Sequence, residues 1–120
     1  MKENLIKDKS FRFAIRIVNL HKLLSGERKD FVMSKQLLRS GTSIGANIRE
    51  AQNGESKADF IHKLGIAQKE TDETLYWLEL LKATNYINTE EFESLFADAN
   101  ELLKIIRTII LNTKKNIHNS

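Results

Sequence analysis

Apolar residues recur every three to four positions along most of the chain, which is the spacing of one buried face on an α-helix. Breaks in this pattern fall near Gly26, near Gly54 and at residues 85–88. No proline interrupts it, because the chain has none among its 120 residues. The pattern predicts four helices over residues 8–24, 28–53, 56–84 and 89–116.

The connections between these helices are short compared with the helices themselves. Short connections favour antiparallel neighbours, so we predict an all-α, up-down-up-down antiparallel four-helix bundle. A chain of this length is expected to form one domain, here residues 1–120. We also expect Ser56 to cap the third helix, with Asp59 completing part of a capping box, and Asn88 or Thr89 to cap the fourth.

The first helix carries apolar residues on two nearly opposite faces. One face holds Phe11, Ala14, Ile15 and Val18, and the other holds Phe13, Ile17, Leu20 and Leu24. A small monomeric bundle buries only one such face of each helix. Ile66 and Trp77 also lie off the main apolar face of the third helix. We therefore predict a homo-oligomer whose candidate interface residues are Phe13, Ile17, Leu20, Ile66 and Trp77.

The second helix carries small and polar residues where large apolar ones would be usual. Small side chains let a neighbouring helix come close, although each glycine costs roughly 1 kcal/mol in helix propensity. We expect this segment to contact the third helix, with Ser43 and Asn47 forming hydrogen bonds across the contact. Glu50 or Glu70 would receive donors or pair with Arg39. The predicted contact motif is Ser40, Gly41, Ser43, Gly45, Asn47, Glu50 and Glu70.

Charge is distributed unevenly along the chain. Residues 1–50 hold 11 Lys/Arg and 5 Asp/Glu, residues 51–101 hold 4 and 11, and residues 102–120 hold 4 and none. Such blocks indicate pairing within the fold, pairing between subunits, or a basic end that faces an anionic partner. Solvated helix faces with chance clustering are the alternative.

Several basic residues fall in rows on the predicted helices and are candidates for non-specific, salt-sensitive contact with phosphates. No aromatic residues interleave with these rows, so a base-stacking platform is not indicated. The acidic middle of the chain could instead neutralise them, and Arg39 could serve within the protein. The candidates are Lys9, Arg12, Arg16, Lys35, Arg39, Arg49, Lys104, Arg107, Lys114 and Lys115.

The sequence contains no recognisable catalytic or metal-binding constellation. A di-iron bundle needs two Glu-x-x-His motifs, whereas this chain offers one Asp59-x-x-His62 and two further histidines, His21 and His118, without ligand spacing. Ser43 has no histidine placed as its base. We therefore predict no catalytic residue, no cofactor, no metal and no enzymatic activity.

The chain also lacks the features of a membrane or secreted protein. No uncharged apolar run approaches the ~20 residues that cross a bilayer. Charges occupy the start of the chain, where a signal peptide has its apolar core. There is no cysteine, and hence no disulfide. These features predict a cytoplasmic protein without a membrane partner.

Residues 36–81 resemble the four-helix-bundle proteins encoded in 23S rRNA intervening sequences. Three motifs carry the resemblance: Gln36, Leu37, Arg39 and Ser40; Ser43, Ile44, Asn47, Ile48 and Glu50; and Lys57, Phe60, Leu64, Ala67 and Glu70. The chain departs from the family pattern at Gln52, where a glycine is usual, with Gly54 two residues further on.

This resemblance implies a bundle that assembles into a ring-like homopentamer. It also implies similarity to the accessory variability protein of diversity-generating retroelements, a pentamer that binds nucleic acid and a reverse transcriptase. The predicted function is a non-enzymatic, homo-oligomeric scaffold that binds RNA, DNA or a ribonucleoprotein through its basic rows. The alternative is a protein–protein adaptor without direct nucleic-acid contact.

Overall fold

The computed structural model describes residues 2–118, and the side chains of residues 4–117, so the side chain of His118 lies outside the described residues. The described chain forms four helices and no strand: α1 (Lys2–Gly26), α2 (Val32–Gln52), α3 (Lys57–Ala83) and α4 (Thr89–His118). Each helix packs against the next, and α4 returns to α1. The result is a rod of 53 × 22 × 20 Å, and the predicted all-α four-helix bundle is confirmed.

Two helices begin at positions that differ from the prediction. Helix α1 already begins at Lys2 rather than at residue 8, and Ile6 in this added turn is buried. Helix α2 begins only at Val32 rather than at residue 28, since Lys29 has a positive φ of 58° that turns the chain. The Asp30 carboxylate then accepts hydrogen bonds from the backbone N–H groups of Met33 (3.3 Å) and Ser34 (2.8 Å), two free donors of the first turn.

The caps of the two later helices follow the sequence. The Ser56 hydroxyl accepts a hydrogen bond of 3.1 Å from the Asp59 backbone N–H, which confirms the predicted cap of α3. At α4, Asn88 is the cap: its amide oxygen accepts from the Glu91 N–H at 2.8 Å, and the Glu91 carboxylate accepts from the Asn88 N–H at 2.9 Å. This reciprocal pair is a capping box.

The face of α1 that packs into the core is the opposite of the one we expected. Phe13, Ile17 and Leu20 are 2%, 0% and 7% exposed, so their assignment to an oligomer interface was wrong. Phe11 and Ile15, on the other apolar face, are 52% and 48% exposed. Both faces are apolar, although the buried one carries leucines where the other carries alanine and valine, and the buried face is the one that fits against the neighbouring helix α2.

The other two proposed interface residues lie at the boundary of the core. Ile66 is half-buried. Trp77 is partly buried against the core, stacks edge-on with Tyr76, and donates a 3.2 Å hydrogen bond from Nε1 to the Glu73 carboxylate. Their apolar surface is therefore shared between the interior of the bundle and its outside.

Candidate functional site

The two glycines of α2 face α1. A Cβ built on Gly41 would lie 2.8 Å from a side-chain carbon of Ile17, and one built on Gly45 would lie 3.4 Å from the Ser10 hydroxyl oxygen. The prediction that these glycines form the contact with α3 was therefore wrong. Close approach does occur, but it lets α1 rest on the α2 backbone and bury Ile17.

The contact between α2 and α3 contains a buried hydroxyl pair. The side-chain oxygens of Ser40 and Thr74 lie 3.0 Å apart, and both residues are fully buried. Thr74 also donates to the Glu70 backbone carbonyl at 2.8 Å. Ser40 is thus the small residue of the predicted motif that does meet α3.

Ser43 and Asn47 do not form the predicted hydrogen bonds across the helix contact. The Ser43 hydroxyl donates to the Arg39 carbonyl at 2.5 Å, and the Asn47 amide donates to the Ser43 carbonyl at 2.8 Å. Both acceptors belong to α2 itself. A carbonyl one turn back is the nearest acceptor for a short, half-exposed side chain on a helix.

Ion pairs outside the helix contact join α2 to α3. The Arg39 guanidinium lies 3.0 Å from the Glu70 carboxylate and also pairs with Glu73, so the predicted pairing of Arg39 with Glu70 is confirmed. Glu50 pairs more loosely with Lys63, at 4.0 Å. Arg39 therefore serves within the bundle, because two carboxylates already neutralise its charge.

The basic row on α1 is paired as well. Lys9 contacts Glu101 at 2.7 Å, and Arg16 contacts Asp98 at 2.5 Å, so both bases reach across to α4. Arg12 pairs with Asp8 one turn back on its own helix, at 2.8 Å. A phosphate would have to compete with these carboxylates for the same donors.

The basic residues of α4 are in a different state. At about 100° per residue they fall on one side of the helix around Leu111, which is 63% exposed. All four are exposed, and none forms an ion pair with any residue that the structure describes. We call this set the α4 basic surface: Lys104, Arg107, Lys114 and Lys115.

The two remaining candidates, Lys35 and Arg49, are exposed on α2. Neither forms an ion pair with another described residue. The Arg49 guanidinium lies 5.2 Å from the centroid of the Phe11 ring, within the range of a cation–π contact. The sequence analysis missed this pairing because the ring and the base belong to different helices.

A second missed interaction joins the two turns at one end of the bundle. Arg28 holds Glu91 through two hydrogen bonds of 3.0 and 2.9 Å and also donates to the Tyr86 carbonyl at 2.8 Å. This arginine lowers the pKa of the Glu91 carboxyl below its ordinary value, with the Asn88 N–H contributing. The capping position of Glu91 could be read from the sequence, but its arginine partner could not.

The described residues offer no constellation for catalysis or metal binding. No three of their His, Cys, Asp or Glu side chains come together as metal ligands. An open groove of about 560 Å³ beside the α2–α3 turn is lined by Gly54, Glu55, Ser56, Lys57 and Phe60, among others. Glu55 and Lys57 form no ion pair with a described residue. No described helix combines the length and the apolar character needed to cross a bilayer.

Comparison with known proteins places these features in a family. A crystal structure from Bacteroides thetaiotaomicron, described as a protein with unknown function from the S23 ribosomal protein family, is 62% identical to this chain. The match covers 92% of this chain and 98% of that one, with a TM-score of 0.91. No curated protein matches the chain. The model of the 23S rRNA-intervening sequence protein family matches residues 2–108, and this chain belongs to that family.

Proposed function

We propose that this protein is a non-enzymatic, homo-oligomeric helical scaffold of the cytoplasm that binds nucleic acid through the α4 basic surface. The observation that carries the proposal is the difference in charge pairing between helices. The candidate row on α1 (Lys9, Arg12 and Arg16) is held by carboxylates, whereas the four candidates on α4 are exposed and unpaired among the described residues.

The spacing of the α4 basic surface suits a phosphate backbone. Lys104 and Lys115 are separated by about 16 Å along the helix, given a rise of about 1.5 Å per residue. Flexible bases over such a length contact successive phosphates without reading base edges. Binding is therefore expected to be weakly sequence-dependent and strongly salt-dependent.

Assembly would strengthen such binding. An oligomer presents several copies of the α4 basic surface to one nucleic acid, so each further contact becomes intramolecular. Support for assembly comes from the exposed apolar face of α1 and from the ring-like homopentamer that the family resemblance implies.

The test is a fluorescence anisotropy titration with a structured RNA and a duplex DNA at low salt. Arg107→Glu with Lys114→Glu removes two bases of the α4 basic surface and reverses their charge. We expect the Kd to rise at least about tenfold and the dependence of log K on log salt to become shallower, since fewer counterions are released.

A matched variant controls for net charge. Lys29→Glu with Lys82→Glu makes the same change in the α1–α2 turn and in the last turn of α3, at the opposite end of the bundle from the α4 basic surface. We expect this control to change the Kd by much less. No binding by the unaltered protein at low salt, or equal weakening in both variants, would contradict the proposal.

The alternative is a protein–protein adaptor, favoured by the exposed Leu111 at the centre of the α4 basic surface. An apolar residue ringed by bases is suited to an acidic amphipathic helix of a partner protein. A reverse transcriptase is one such partner, in keeping with the family resemblance. Pull-down from the native host with and without nuclease separates the two functions. A partner that is lost on nuclease treatment supports nucleic-acid binding. A partner that the Leu111→Ala variant still retains after nuclease treatment shows that this surface is not the adaptor site.

A further inference from the structure

An open groove runs along the outside of the bundle between α1 and α2. Its volume is about 300 Å³, and Phe11 and Ala14 of α1 and Gly45 and Ala46 of α2 contribute to a mainly apolar lining. Gly45 has no side chain that could fill the bottom of the groove. Phe11 and Ile15 stand exposed beside it, and we call this groove with its two apolar residues the α1–α2 outer face.

The α1–α2 outer face is held in a fixed arrangement. The Phe11 ring lies beneath the Arg49 guanidinium, which restricts its motion. The small side chains of α2 are too short to cover the Phe11 ring. A preorganised apolar surface of this kind favours binding, because little side-chain entropy remains to be lost.

The rim of the α1–α2 outer face is basic. Lys7 and Arg49 line the groove itself. At about 100° per residue, the exposed Lys22 and Lys35 fall on the same sides of α1 and α2, further along each helix. None of the four is ion-paired with a described residue. A surface that complements an apolar face with a basic rim exposes apolar side chains or bare backbone, with acidic side chains around them.

The chain itself presents such a surface on α3. Exposed residues recur there every three to four positions and form one stripe, which we call the α3 outer stripe: Gly65, Lys69, Asp72, Tyr76 and Glu79. Asp72 and Glu79 form no ion pair with a described residue. Helices α1 and α3 are diagonal in the bundle and do not touch, so the two surfaces can meet only between copies.

Gly65 is the second observation on this stripe. A glycine inside a helix costs roughly 1 kcal/mol relative to alanine. No atom outside its local helix lies within 4 Å of a Cβ built at Gly65, so packing among the described residues gives no reason for a glycine there. Bare backbone at an exposed position is what a bulky side chain from another molecule needs for close contact.

We infer that the α1–α2 outer face of one copy binds the α3 outer stripe of a second copy. Phe11 and Ile15 lie over the bare backbone around Gly65, while the basic rim meets Asp72 and Glu79. The two surfaces differ, so the contact is head-to-tail, and repetition closes into a ring when the rotation permits. The inference rests on the proposed homo-oligomer and specifies its interface.

The first experiment measures molar mass by light scattering at micromolar concentration. Phe11→Glu with Ile15→Glu is expected to yield single chains, and circular dichroism should show an intact fold, since both side chains are exposed. The matched control is Phe31→Glu with Val32→Glu, which changes two apolar residues that are 62% and 75% exposed elsewhere. The control is expected to keep the mass of the unaltered protein.

The second experiment tests the acidic partner surface by charge exchange. Lys7→Glu with Lys22→Glu should raise the dissociation constant of the assembly at least about tenfold, and Asp72→Lys with Glu79→Lys should do the same. All four changes in one chain should restore assembly, because the attraction is then reversed but complementary.

The outcomes separate this inference from the proposed function. Single chains of the unaltered protein would overturn both the homo-oligomer and this interface. An assembly that survives Phe11→Glu with Ile15→Glu would overturn the interface alone. Assembly that is indifferent to Asp72→Lys with Glu79→Lys, or not restored by the four changes together, would overturn the role of the α3 outer stripe.

Discussion

Helix α1 is held by its two neighbours in different ways. Against α2 it packs Ile17 onto Gly41, where backbone and side chain are in close contact. Against α4 its outer contacts are ion pairs, from Lys9 to Glu101 and from Arg16 to Asp98. The contact with α2 depends on the close fit of a side chain to bare backbone, and the contact with α4 on charges that remain partly exposed.

The difference implies an unequal division of stability. Burying an isoleucine side chain contributes about 1.5–3 kcal/mol, and gaps or overlaps in its packing cost similar amounts. An ion pair at the surface contributes about 0–1 kcal/mol, since water and salt screen it. The α1–α2 contact is therefore expected to contribute most to the stability of the bundle. The α1–α4 ion pairs are expected to make a smaller contribution, by holding α4 against α1.

The largest expected effect comes from filling the α1–α2 contact. Even a Cβ at position 41 would lie 2.8 Å from the Ile17 side chain, so the leucine of a Gly41→Leu variant has no room. Ile17 is fully buried and β-branched, so it cannot easily move away. We expect the free energy of unfolding to fall by about 1–3 kcal/mol or more, as for overpacked cores. Urea denaturation followed by circular dichroism measures it.

Gly45→Ala is the control within the same contact. A Cβ at Gly45 would lie 3.4 Å from the Ser10 hydroxyl, close to ordinary van der Waals contact. Alanine gains up to about 1 kcal/mol in helix propensity, so stability should stay level or rise. A Gly41→Leu variant as stable as this control would refute the importance assigned to the close approach.

An intermediate effect is expected at the half-buried ion pair of Arg28 and Glu91. Glu91→Gln keeps an oxygen for the cap but removes the charge, and should cost about 1 kcal/mol at neutral pH. The pKa of Glu91 is lowered in the fold, so its contribution is present above the unfolded-state value of 4.5 and lost as pH falls through the folded value.

Denaturation midpoints between pH 7 and pH 3 test this linkage. The unaltered protein should lose stability as the pH falls below about 5, and Glu91→Gln should lose less over the same range. If both proteins show the same pH dependence, the charge on Glu91 does not stabilise the fold.

The smallest effect is expected at the exposed ion pairs of the α1–α4 contact. Lys9→Gln with Arg16→Gln should lower the free energy of unfolding by less than about 1 kcal/mol in total. The difference should shrink further in 1 M salt, where the Debye length is about 3 Å. A loss that exceeds that of Gly41→Leu would reverse the comparison between the two contacts.

Several features could be predicted from the sequence because they depend on nearby residues. The helical spacing of apolar residues predicts the four helices, and Ser56 caps α3 through a bond to a backbone group three residues away. The sequence left Glu50 and Glu70 as alternative partners of Arg39, and the structure shows Glu70 in that position.

The candidate nucleic-acid site was only partly readable. The sequence places ten bases in rows but cannot show which of them meet carboxylates on other helices. Lys9 and Arg16 are paired with α4, whereas Arg107 and Lys114 are exposed and unpaired among the described residues. That division narrows the candidates to the α4 basic surface, with Lys35 and Arg49 as a smaller set.

The sequence by itself determined that this chain forms amphipathic helices, that Ser56 caps α3, and that α1 carries apolar residues on two faces. Only the tertiary structure decided which face of α1 turns inward and which helix the glycines of α2 contact. Helical periodicity fixes the direction of each side chain around the helix axis, but how well each of two apolar faces fits the neighbouring helices is settled only when the helices pack. The bare backbone at Gly41 accommodates Ile17, and this fit leaves Phe11 and Ile15 outside.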